Sequence, residues 1–164
     1  SVRPVESDAV KGARLLLVHD MSYIERRSKE TRRYLFYFFV VLGTCVAVCL
    51  WDADRQAGGI NHYILPLWDG RGLATPRFGD IAIARLLEGM ARVGCHPESL
   101  TAKLFGGKIC LGVYDTGGRN VELAREQLQA AGITVAAEDV GGNFGRRVAF
   151  DTTTGVVRLK RWLG

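Results

Sequence analysis

Between Arg33 and Asp52 the chain runs 18 residues, Tyr34 to Trp51, without a charge. As one helix, that stretch just reaches the length needed to cross a bilayer. As two buried strands of about eight residues each, it has the same hydropathy. The side chains favour strands, because Phe, Tyr and Val suit a pleated, buried surface better than a helix. Gly43-Thr44 supplies a break between Tyr34–Val41 and Cys45–Leu50. The expectation is therefore two core strands and no membrane insertion. A small membrane-anchored protein using residues 34–51 as a helix is the rival class.

The remainder fits a folded domain. Of 164 residues, 48% are hydrophobic and 24% charged, which excludes intrinsic disorder. The net charge of +5 is too diffuse to call for nucleic acid. The basic run Arg26–Arg33 has no interleaved aromatics, so it reads as a solvated segment and not as a base-stacking surface. Residues 1–33 show no clear period, apart from a short strand at Leu15–Val18. They are read as a poorly defined N-terminal extension to a single domain over 34–164.

Within that domain, Ile83, Leu86, Leu87 and Met90 recur at helical spacing between Asp80 and Gly94. A second helix is predicted from Asn120 to Gly132, with Val121, Ala124, Leu128 and Ala131 on one side. Asp52–Gly59 reads as a loop and Ile60–Pro66 as a strand. Further strands are predicted at Leu100–Phe105, Ile109–Tyr114, Ile133–Ala137, Arg147–Phe150 and Val156–Leu159, the last two flanking a turn at Gly155. Strands arriving in runs point to α+β, with two main helices packed on one side of mixed or antiparallel sheets.

Little chemistry is on offer. The Gly-Gly pairs at 58–59, 106–107, 117–118 and 141–142 complete neither a phosphate loop nor a dinucleotide fingerprint, and read as tight turns. The cysteines at 45, 49, 95 and 110 have no zinc or disulfide spacing, so they are expected as reduced thiols of a cytoplasmic protein. No metal and no cofactor is expected. His62, in a strand-like run, and a thiol would be the minimum kit for acyl transfer. Cys45 follows Gly43-Thr44 at the mouth of a strand, where free backbone N–H groups would lower its pKa and serve an oxyanion. A simple hairpin of 45–52 with 59–66, however, would set His62 near Cys49 and leave Cys45 about 13 Å further along. Spacing alone does not choose between the thiols.

Six blocks, in order, resemble the chemoreceptor glutamine deamidases of the CheD family. They are Leu42-Gly43-Thr44-Cys45-Val46-Ala47-Val48-Cys49-Leu50-Trp51-Asp52, then Gly58-Gly59-Ile60-Asn61-His62-Tyr63-Ile64-Leu65-Pro66, then Phe78-Gly79-Asp80. Lys103-Leu104-Phe105-Gly106-Gly107, Gly118-Arg119-Asn120-Val121, and Asp139-Val140-Gly141-Gly142 through Gly145-Arg146 complete the set. The likeness covers roughly residues 40–160.

The resemblance implies a cysteine hydrolase that converts glutamines of methyl-accepting chemotaxis receptors to glutamates. It implies a sandwich similar to cytotoxic necrotizing factor deamidases, and a CheC-type phosphatase as a further partner. Carried over position by position, it makes Cys45 the nucleophile and His62 its base, with Gly43 and Thr44 as oxyanion or orienting candidates. It also exposes a departure. The family carries a threonine six residues before the cysteine, and here that position is Phe39. A phenyl ring cannot orient imidazole by an ordinary hydrogen bond. A receptor-binding adaptor that keeps the fold and has lost turnover is therefore the alternative.

Overall fold

The computed structural model describes backbone positions 16–18, 22–26 and 37–41, and the chain with its side chains over 42–109 and 114–163. Arg26 ends a described strand, and the rest of the basic run to Arg33 lies outside the described residues, as does most of the predicted strand Ile109–Tyr114.

The uncharged stretch resolves into two strands that part at Gly43-Thr44: β3 (Tyr37–Leu42) and β4 (Val46–Asp52). They enter different sheets. With β1 (Leu16–Val18), β2 (Ser22–Arg26), β5 (Ala57–Ile60), β6 (Leu100–Gly106) and β7 (Thr134–Val140), β4 builds a six-stranded sheet of order β1-β2-β5-β4-β6-β7. β3 joins β8 (Phe144–Asp151) and β9 (Val157–Leu163) in a three-stranded sheet of order β3-β8-β9. Neighbours are antiparallel except β6 and β7, which are parallel and joined through a helix. Both helices, α1 (Gly79–Arg92) and α2 (Thr116–Ala130), pack on one face of the larger sheet, so the expected α+β class holds. Among the described residues, no helix is long and apolar enough to cross a membrane.

Alternation along β4 explains the layering. Val46, Val48 and Leu50 point to the helices and meet Ile83, Leu86, Met90 and Leu128. Ala47 and Cys49 point the other way, onto Leu42, Val148 and Phe150 of the smaller sheet. A strand buried on both faces reads as a continuous apolar run, which is why it mimics a membrane segment.

Three local readings change. Gly58-Gly59 is strand, not loop: a Cβ on Gly58 would stand 3.1 Å from both the Phe150 ring and the Thr152 backbone, so the glycine permits close approach of the sheets. α2 begins at Thr116, four residues before Asn120, because Asp115 caps it by accepting from the Gly118 N–H at 2.9 Å. Gly117-Gly118 is therefore its first turn, not a tight turn. The predicted strand Ile60–Pro66 is not formed: β5 ends at Ile60, and beyond it only single bridges at Tyr63 and Leu65 continue. β1 falls within the predicted strand Leu15–Val18, and β2 pairs with β5.

Candidate active site

Cys45 sits where the chain leaves the smaller sheet and enters the larger one. All three carbonyls of this crossing are bonded. Gly43 O accepts from Lys108 N at 2.9 Å, Thr44 O from Asn120 Nδ2 at 3.2 Å, and Cys45 O from Gly107 N at 2.9 Å. With the carbonyls engaged, the N–H groups of Gly43 and Cys45 and the Thr44 hydroxyl face the sulfur. Among the described residues, a Cβ built on Gly43 would meet nothing within 4 Å, and the Cys45 side chain two residues on is only partly buried. Gly106 and Gly107 hold the opposing wall: a Cβ on Gly106 would overlap Cys45 O, and both glycines have positive φ (113° and 64°).

His62 lies two residues past the end of β5, in a stretch that still follows β4. Cys49 pairs with Ile60 and Val46 bridges Tyr63, with backbone hydrogen bonds of 3.1 and 3.0 Å between Val46 and Tyr63. That register sets His62 opposite Ala47, with Cys45 and Cys49 as its two diagonal neighbours on the same face. The hairpin objection to Cys45 is thereby corrected, since diagonal neighbours lie only about 7–8 Å apart. Burial separates the two thiols. Cys49 is 1% exposed and desolvation drives its pKa far up, whereas Cys45 remains partly open.

The expected low thiol pKa is not found. Burial against the apolar cluster between the sheets pushes the Cys45 thiol up, and this outweighs the N–H groups and the Thr44 hydroxyl. Burial also lowers the His62 pKa, so its imidazole is neutral at pH 7. Its Nε2 is buried and has no hydrogen-bond partner among the described residues. The two shifts favour a resting thiol and neutral imidazole over a thiolate–imidazolium pair. The Thr44 hydroxyl acts on the sulfur, where hydrogen bonding lowers the thiol pKa. Phe39 occupies a β3 position paired with Ala149 of the smaller sheet. No group of three His, Cys, Asp or Glu side chains among the described residues could hold a metal.

Two residues escaped the sequence reading of the site. Asn61 is fully buried, and its Oδ1 accepts the Val48 N–H at 3.0 Å in place of a ladder carbonyl. Asn120 is equally buried and reaches Thr44 O and Ile64 O. Their burial, which marks them as polar groups in need of partners, shows only in the fold.

Comparison with known proteins decides the lineage. A family model described as CheD chemotactic sensory transduction matches residues 65–161. A probable chemoreceptor glutamine deamidase CheD of Trichlorobacter lovleyi is 51% identical over 125 residues, covering 74% of this chain and 78% of the relative. The chain belongs to the CheD family. Other CheD proteins of the same printed function are similar to it. That of Sulfurimonas denitrificans is 43% identical over 73% of this chain and 80% of its own length. That of Methanococcus maripaludis is 33% identical over 74% and 82%. The family-model match itself starts at Leu65, three residues beyond His62.

Proposed function

We propose that this CheD protein is a protein-glutamine deamidase acting on methyl-accepting chemotaxis receptors, with Cys45 as nucleophile and His62 as general base and acid. The observation that carries the reading is the crossing at residues 43–45, with its carbonyls tied back and its N–H groups around a partly open sulfur. The printed names of the relatives supply the substrate.

The thiol is protonated at rest, so attack and proton transfer are coupled. His62 takes the thiol proton as the sulfur bonds to the glutamine carboxamide carbon, and the carbonyl electron pair moves to oxygen. The N–H groups at Gly43 and Cys45 receive that oxyanion. His62 then gives its proton to the nitrogen, and the C–N bond breaks to release ammonia. Water attacks the thioester, giving one proton to His62, and the departing sulfur takes that proton back. Glutamate remains, with no net change at the enzyme.

The test is incubation with a receptor cytoplasmic fragment. Ammonia release matched by amide-to-acid conversion at mapped glutamines is the expected result, and neither product appearing would refute it. The adaptor reading stays as a second one, favoured by Phe39 in the threonine position and by the unpartnered His62 Nε2. Receptor binding without ammonia would establish it.

A further inference from the structure

Asn120 is an anomaly on a helix. It lies inside α2, fully buried, where asparagine is a poor helix former and an apolar side chain would pack better. Both protons of its Nδ2 are used, at 3.2 Å to Thr44 O and 2.8 Å to Ile64 O. Those carbonyls belong to the residue before Cys45 and to the second residue after His62.

The β4–β5 register explains why a side chain is needed there. Val46 and Tyr63 form a hydrogen-bonded bridge, and continuing the register would pair Thr44 with Leu65. That pair does not form. The N–H groups of Ile64 and Leu65 both turn to Arg77 O, at 2.9 and 3.0 Å. The strand ends have parted, so Thr44 O has lost the Leu65 N–H that the ladder would have supplied, and Ile64 O, outside that ladder, also needs a donor. Asn120 fills the gap. Tyr63, between His62 and Ile64, holds the Asn120 backbone in turn, its hydroxyl donating to Asn120 O at 2.6 Å.

We propose that Asn120 is a positioning residue for the Cys45–His62 pair, a carboxamide wedge that fixes the splay between the crossing that carries the sulfur and the segment that carries the imidazole. It touches neither the reacting atoms nor the substrate. The inference rests on the deamidase reading for its kinetic readout, and on thiol chemistry alone for its second.

Wild type, Asn120→Asp, Asn120→Ala and Leu128→Ala are compared on a receptor cytoplasmic fragment. In parallel, iodoacetamide alkylation of the Cys45 peptide is followed against pH by mass spectrometry. Asn120→Asp keeps the shape and the backbone carbonyl that Tyr63 binds, but presents oxygens where the two N–H groups were. Asn120→Ala removes the wedge without adding charge, in case the carboxylate prevents folding. For both, kcat is expected to fall by about tenfold or more while KM stays within about threefold, because misplacement of reacting groups acts on the chemical step. The alkylation profile of Cys45 is expected to move to higher pH as the facing N–H groups lose register. Leu128→Ala, a core change on the same helix, should lower the melting temperature yet leave kcat per folded molecule and the profile in place. An unchanged kcat and an unmoved profile in the Asn120 variants would overturn the wedge. If wild type itself releases no ammonia, the deamidase reading fails, and the alkylation profile alone decides the wedge.

Discussion

Cys45, just before β4, and Cys49 within it lie on the same side and flank the same histidine, yet their surroundings give them different chemistry. Cys49 is sealed between the sheets. Cys45 is only partly buried, yet burial still keeps its thiol protonated at neutral pH. The proposed mechanism therefore requires His62 to be neutral. Desolvation places its pKa below the ordinary 6.5, so the acid limb of kcat/KM should fall below pH 6.5, measured on a receptor fragment. A limb above 6.5 would contradict that. The same shift has a stability consequence. The folded state binds the His62 proton less readily than the unfolded chain, so the contribution is complete above 6.5 and is lost as pH falls through the lower, folded pKa. Denaturant midpoints in the wild type should decline over that window more than in His62→Gln. The sequence named both candidate residues, because their types and neighbours are local. It could not name Asn61 or Asn120, whose partners lie 13 and up to 76 residues away.

At the scale of elements, long amphipathic runs were legible and glycine pairs were not. The apolar spacing of α1 and the alternation of β6 follow from burial on one face. Gly58 and Gly117 read as turn residues because a lone sequence does not show what crosses above them. Gly117 lies in the first turn of α2, where a Cβ would come within 2.9 Å of Gly107 O and would overlap Lys108 O. Replacing a helical glycine with alanine ordinarily stabilises by about 1 kcal/mol. Here Gly117→Ala should destabilise by about 1–3 kcal/mol, as overpacking does. It should also slow deamidation, since Gly107 N and Lys108 N hold Cys45 O and Gly43 O. Thermal unfolding and turnover of the one variant check both signs, and a rise in melting temperature would contradict the packing account.

Across the whole molecule, the partition into two sheets was out of reach of the sequence. β3 and β4 are adjacent in the chain and alike in composition, yet they belong to different layers, and only distant partners decide which. The layers are clamped at one end by charge. Asp139 on β7 accepts from Arg146 of β8 at 3.0 Å and from Arg161 of β9 at 2.7 Å, while Arg146, 2% exposed, also donates to the carbonyls of Phe144 and Gly141. A buried pair loses little when replaced as a unit, but removing one partner strands the other. Asp139→Ala should therefore cost about 3–5 kcal/mol in denaturant unfolding. Asp139→Leu combined with Arg146→Met should recover much of that loss. Equal destabilisation by the single and double variants would show that the clamp contributes no specific pairing.

The most direct test of the account compares wild type, Cys45→Ala and Cys49→Ala on the same receptor fragment, reading ammonia release and the mapped conversion of glutamine to glutamate. Conversion by wild type and Cys49→Ala with none by Cys45→Ala is the predicted result. Undiminished conversion by Cys45→Ala would contradict the assignment of the nucleophile and the mechanism built on it.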